Sequence, residues 1–280
     1  MSFADLVERD DPHLFATTMF AEKRVRDRLL VLYAFDCELS RAVRSSKESL
    51  IPRMRLQWWR DVIVAAAKGE PPKAHEVAGP LAQLIQSDQA LISDIHEMDG
   101  ADVLTRMVDG YELELERPFD AETFDKWAAW RFGARLGLAG SISPLGPEYG
   151  HDADDSSASK AMAFAVACRT AVRLATASGS TLLYGLDRKD HAELAEGKLS
   201  AEAAVILREQ ISAVLADLKK LRASRNLKGE ALVAHLPLRR DTRILRAVAR
   251  RPKLLVERDL SEDPAFAGIR LAWGAWRRNW

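Results

Sequence analysis

The sequence predicts an all-α protein, a helical bundle with a central cavity between facing helices. Apolar residues recur at steps of three and four along most of the chain, and no β-branched run alternates with polar residues over any length. The 280 residues, 48% of them hydrophobic, are enough to fill one large core. Residues 1–280 are therefore read as one domain, with no internal repeat and no low-complexity tract.

Each element has a local reason. Pro12 is expected to open the first helix. From Arg24 to Ser45, Leu29 or Leu30, Tyr33, Cys37 and Ala42 or Val43 form one face, while Arg24, Arg28, Glu38, Arg41 and Arg44 occupy others. Pro52, just after "KESLI", marks the start of a further helix, and "GEPPK" at 69–73 stops it. Further stops are expected at Gly79-Pro80, at Arg117-Pro118 and in "SPLGPEYGHDADDSS" at 143–157, whose Pro, Gly, Asp and Ser content suits an exposed connection. An Ala-rich helix is expected over about 156–185 and a polar break over 187–200. Leu207, Ile211, Val214, Leu218 and Leu221, with Leu215 beside them, then make the clearest apolar stripe in the chain.

Composition removes several functions. Lys plus Arg equal Asp plus Glu at 41 each, so no global field points to nucleic acid. Cys37 and Cys168 lie far apart in helix-pattern sequence, which indicates neither a disulfide framework nor a zinc site. The acidic N-terminus "MSFADLVERDDPHLF" lacks the pattern of a secretory signal, and no apolar run approaches the roughly 18 residues of a membrane span. A cytoplasmic protein is expected, with a peripheral seat at the inner membrane as the extension of that reading. The histidines fall singly, and neither a Ser-His-Asp or Cys-His arrangement nor a Gly-rich phosphate loop is present.

The stretch "YAFDCELSRAVRSS…MRLQWWRD" between 33 and 61, followed by "MVDGYELELERPFDAETFDKWAAWRFGA" at 107–134, resembles the squalene/phytoene synthase family, the head-to-head isoprenyl diphosphate synthases. "AHLPLRRDTRIL" at 234–245 is similar to the family's late Leu-Pro helix. The resemblance implies an isoprenoid-synthase-like bundle. In active members it implies two Asp-x-x-x-Asp pairs on facing helices, which hold magnesium ions that bind substrate diphosphates. Carboxylates at i and i+4 share a helix face and offer a hard cation its oxygen ligands. In this chain the first pair's positions fall at Ser40 or Arg41 and at Arg44, which cannot ligate magnesium. Asp187 and Asp190 stand near the second pair's place at i and i+3, in a segment that reads better as a polar loop.

These departures resemble a degenerate branch of the family that includes complex I assembly factor 6. The resemblance implies a non-catalytic assembly or scaffold factor of the respiratory complex I type, with a complex I subunit or assembly partner. An active prenyltransferase acting on allylic diphosphates is the alternative, and a non-catalytic binder of isoprenoid diphosphates or lipids lies between them. No cofactor is expected, and magnesium only if the transferase chemistry holds.

Two groups of residues carry these readings. Arg41, Arg44, Arg55, Gln57 and Arg60 are the candidate diphosphate or anion ligands, since arginine suits bidentate contact with phosphate. Arg239, Arg243, Arg246 and Arg250 form a basic stripe opposite Ile244, Leu245 and Val248. Together with Trp273, Trp276 and Trp280 they are the candidate surface for an anionic membrane or a partner. The acidic group Asp109, Glu112, Glu114 and Glu116 is read either as a metal site or as a solvated face, with 109, 112 and 116 sharing a side.

Overall fold

The computed structural model describes residues 2–46, 48–87, 100–142, 156–224, 230–260 and 267–276. Among the described residues every regular element is a helix. Helix α1 (Phe3–Asp10) precedes the predicted first helix, because Ser2 and Asp5 close a capping box in which each side chain accepts the other's backbone N–H. Pro12 therefore opens α2 (Pro12–Thr18), capped by Asp11, whose Oδ1 accepts the Leu14 N–H at 3.0 Å.

Helix α3 (Lys23–Val43) is the central element, buried along Leu29–Phe35 and packed by α1, α4 (Leu50–Ala67), α5 (Ala78–Ser87) and α6 (Gly100–Leu113). Gly79 and Pro80 lie in the first turn of α5 rather than ending a helix, since proline's missing N–H costs nothing there. A 3-10 turn, Glu114–Glu116, leads to α7 (Ala121–Trp127), a π-helical segment (Ala128–Gly133) and α8 (Ala134–Ser141). The predicted connection at 143–157 lies outside the described residues apart from its last two, Ser156 and Ser157, which begin α9 (Ser156–Ser178).

The predicted polar break at 187–200 contains a helix, α10 (Arg188–Ala195), because Asp187 and Asp190 form a second capping box. Helix α11 (Ala201–Ser224) buries Leu207, Ile211, Val214, Leu218 and Leu221 as the stripe predicts. Then come α12 (Glu230–His235), α13 (Leu238–Arg250), α14 (Leu254–Glu257) and α15 (Ala267–Trp276). Helix α13 buries Ile244, Leu245 and Val248 against α9 and α11.

Aromatic side chains fill the interior between α7, the π segment and α9. Phe124 meets Phe164 at 4.5 Å and Trp127 meets Phe132 edge-on at 5.2 Å, and all of these rings are fully buried. Cys37 and Cys168 are free thiols held protonated by burial, which pushes Cys168 up to about 12. Among the described residues no helix is long and apolar enough to cross a membrane.

A candidate anion-binding cavity

A cavity of about 1170 Å³ opens between α3 and α9 and is closed behind by the π segment, α8 and α13. Helical spacing puts Asp36, Ser40 and Arg44 on one face of α3, and Arg169 and Arg173 on the facing side of α9. The π segment and α8 contribute Arg131 and Arg135, and α13 contributes Arg240 and Asp241.

The floor is a set of buried ion pairs. Asp36 accepts the Tyr111 hydroxyl at 2.8 Å through one oxygen and Arg135 at 2.8 Å through the other. Arg131 pairs with Glu114, which also accepts the Trp127 indole N–H at 3.1 Å, and its guanidinium lies 4.1 Å from the centre of the Tyr111 ring. Arg240 holds both oxygens of Asp11 at 3.1 Å, a fork that ties α13 to the start of α2. Burial works against the Asp11 charge, but the Arg240 guanidinium outweighs it and holds the carboxyl well below the usual range. Arg169 stands 3.7 Å from Asp241. Burial raises the Asp241 carboxyl and, with the neighbouring Arg240 charge, lowers Arg169 to about 10, so the arginine remains charged at neutral pH.

The mouth is different. Among the described residues Arg44 donates only to the Ser40 carbonyl, at 3.0 Å, and Arg117 to the Glu114 carbonyl and the Ser178 hydroxyl. Arg173 makes no hydrogen bond or ion pair among the described residues. Partial burial and the Arg44 charge lower Arg173, and burial lowers Arg117 with help from the Arg173 charge, while the Glu114 charge opposes both shifts. Three guanidinium groups thus face one opening, none of them in an ion pair among the described residues, with Glu114 the wall carboxylate whose charge reaches Arg117 and Arg173. Such an arrangement is suited to an anion rich in oxygen acceptors.

Magnesium does not fit these residues. The wall carboxylates Asp11, Asp36, Glu114 and Asp241 each face an arginine, and Asp10 is taken by Arg41 and Arg9. A hard cation needs several free oxygens in near-octahedral array. Among the described residues no group of three or more His, Cys, Asp or Glu could hold a metal.

Of the candidate anion ligands Arg41, Arg44, Arg55, Gln57 and Arg60, Arg44 alone lines the cavity, together with Glu114 from the acidic group. Arg41 turns away to Asp10 and Glu38. Arg60 is held by Asp109 and Glu112, Gln57 donates to Asp61 at 2.9 Å, and Arg55 is exposed and does not line the cavity. The acidic group divides by face. Glu112 and Glu116 pair with Arg53, Asp109 and Glu112 with Arg60, and Glu114 turns inward to Arg131. Along α13, Arg246 and Arg250 are exposed, whereas Arg239 and Arg243 are partly covered. Trp273 and Trp276 are 53% and 74% exposed, with ring centroids 5.3 Å apart. Trp280 lies outside the described residues.

Sequence reasoning missed Asp36, Arg117, Arg131, Arg135, Arg169, Arg173 and Arg240. The readable signal was in α9, where Arg169 and Arg173 stand at i and i+4 within "AFAVACRTAVRLA", an Ala-rich run too apolar to be a solvated face.

Residues 7–130 match the squalene/phytoene synthase family. A crystal structure of a dehydrosqualene synthase in complex with ligand is similar at a TM-score of 0.72 and 11% identity, over 98% of this chain and 94% of that one. The squalene synthase HpnC from Alicyclobacillus acidocaldarius is similar at 0.64 and 13%, over 90% and 92%. No curated protein matches the sequence. The chain therefore has the all-α fold of squalene-synthase-like structures, and over its first part it carries the sequence pattern of that family.

Proposed function

We propose that this protein is a catalytically degenerate relative of the squalene/phytoene synthases whose cavity binds a phosphorylated anion directly through arginine, without magnesium. One observation carries the reading: among the described residues Arg44, Arg117 and Arg173 at the mouth make no ion pair, while the carboxylates of the wall are engaged by other arginines. Ionising an allylic diphosphate places charge on the leaving group, and arginine can neutralise part of it, but among the described residues no ligand set for a bridging metal accompanies it. The purified protein, given farnesyl or geranylgeranyl diphosphate with magnesium, is expected to release no diphosphate above blank. Inorganic pyrophosphate is expected to raise its melting temperature equally with magnesium and with EDTA. Magnesium-dependent release of diphosphate would restore the transferase reading.

A second reading rests on the exposed Trp273–Trp276 pair of α15. It makes the protein an assembly or scaffold factor of the respiratory complex I type, seated against a partner or the inner membrane by this pair and the Arg246–Arg250 edge of α13. Deleting the gene should then lower the level of assembled complex I. A normal level in the deletion strain would remove this role.

A further inference from the structure

We propose that the first turn of α4 docks this protein on an anionic membrane surface, with Leu50, Ile51 and Met54 entering the headgroup region and the arginines around them meeting lipid phosphates. The inference does not rest on the anion-binding reading, and it puts the membrane contact on a different face from the Trp273–Trp276 pair.

Helix α4 buries the stripe formed by Pro52, Leu56, Trp59 and Ile63. By helical spacing Leu50 and Met54 lie opposite that stripe, with Ile51 to one side. They are 67%, 64% and 41% exposed. Exposed aliphatic side chains are ordinary when they stand singly, but here three share one turn. Further along the face of Met54 stand Gln57 and Asp61, both exposed and joined by a hydrogen bond, so the apolar area is confined to the tip of the helix.

The charges beside this turn decide what covers it. Ser49, next to Leu50, lines the opening that Arg44 and Arg173 also line, and both arginines are exposed. Arg55, exposed one turn after Ile51, adds a third cation. Among the described residues none of the three is in an ion pair. Glu48 is the exposed carboxylate of the connection between α3 and α4, and Lys47 balances it in the sequence. Cations around an apolar tip complement a surface that is anionic outside and apolar beneath, which is the profile of a bilayer containing acidic lipids. A protein partner fits less well, since three side chains supply a small part of the roughly 800 Å² per partner that a standard interface buries.

Sedimentation of the full chain with vesicles of phosphatidylcholine, alone or mixed with phosphatidylglycerol, tests the inference. Binding to the mixed vesicles is expected to be at least about tenfold tighter than to the neutral ones and to fall with added salt. Leu50→Ser combined with Met54→Ser should weaken it about tenfold or more, and Arg55→Ser about fivefold, with the melting temperature unchanged because these positions are exposed. Cys37 and Cys168 are buried, protonated thiols, so a maleimide fluorophore on Met54→Cys reports from this turn alone. Its emission should shift to the blue on mixed vesicles, whereas the same label on Lys220→Cys of α11 should not respond. Binding to neither vesicle, or equally to both, overturns the proposal. So does binding that survives the Leu50 and Met54 substitutions and is lost with Trp273→Ser and Trp276→Ser, a result that moves the contact to α15 and leaves the second reading standing. Self-association that those Leu50 and Met54 substitutions abolish, without vesicle binding, assigns the turn to a second copy of the chain and overturns it as well. Pyrophosphate binding, measured without lipid, is untouched by any of these outcomes.

Discussion

Asp36 shows how one side chain can hold the floor of a cavity. Its carboxylate joins α3 to α8 through Arg135 and to α6 through Tyr111, and both side-chain partners are buried. Asp36→Asn removes the charge opposite a guanidinium that has little solvent to turn to, at an expected cost of about 3–5 kcal/mol. Tyr111→Phe removes one hydroxyl and leaves the ion pair, at about 1 kcal/mol. Urea unfolding of both variants should reproduce that order, and a Tyr111→Phe loss equal to that of Asp36→Asn would mean that the hydroxyl, not the ion pair, holds the floor. The sequence made Arg44 legible because the family's motif marks its position. Asp36 and Arg135 were not legible, because each is an ordinary helix residue until another helix brings its partner to it across 99 positions of sequence. Arg60 misled for the opposite reason: beside "QWW" it reads as a free donor, yet the acidic face of α6 lies against it.

At the scale of elements, periodicity fixed which segments are helices but not always where they begin. Gly79-Pro80 reads as a stop and is a first turn, and Asp187 with Asp190 reads as loop and is a capping box, since the same residue types serve both ends of a helix. One crossing depends on a missing side chain. At Gly110, where α6 crosses the π segment, a Cβ would stand 2.8 Å from the Arg131 backbone nitrogen and 3.0 Å from the Trp130 carbonyl carbon. Backbone cannot swing aside as a flexible side chain does, so Gly110→Ala should force the two elements apart and cost about 1–3 kcal/mol, despite alanine's better helix propensity. Because Arg131 rides on the displaced segment, the variant should also bind pyrophosphate more weakly than wild type under conditions where both remain folded. A melting temperature equal to or above wild type would show that the crossing has slack.

For the whole molecule the decisive tie is Asp11 with Arg240, which joins the second helix to α13 across 229 residues of sequence and closes one side of the cavity. Asp11 is 28% exposed and Arg240 9%, so removing the carboxylate leaves a guanidinium poorly solvated, and Asp11→Asn should cost about 3 kcal/mol at neutral pH. The sign of the pH dependence follows from the direction of the shift. Burial opposes ionisation of Asp11 and Arg240 more than compensates, so the folded carboxyl titrates below its unfolded value. Its contribution is complete above the ordinary carboxylate pKa of about 4 and is lost as pH falls from there toward the folded value. Asp241 acts with the other sign: burial raises its carboxyl, so its term favours folding at low pH and fades as pH rises. Acid unfolding of the wild type mixes the two, and only a difference isolates Asp11. Guanidinium chloride titrations of wild type and Asp11→Asn should show a stability gap that is constant above about pH 5 and narrows as pH falls toward about 3, where Asp11 of the unfolded chain takes up a proton while that of the folded protein stays ionised. A gap of unchanged size at acid pH would mean that Asp11 holds α2 to α13 by its shape and not by its charge.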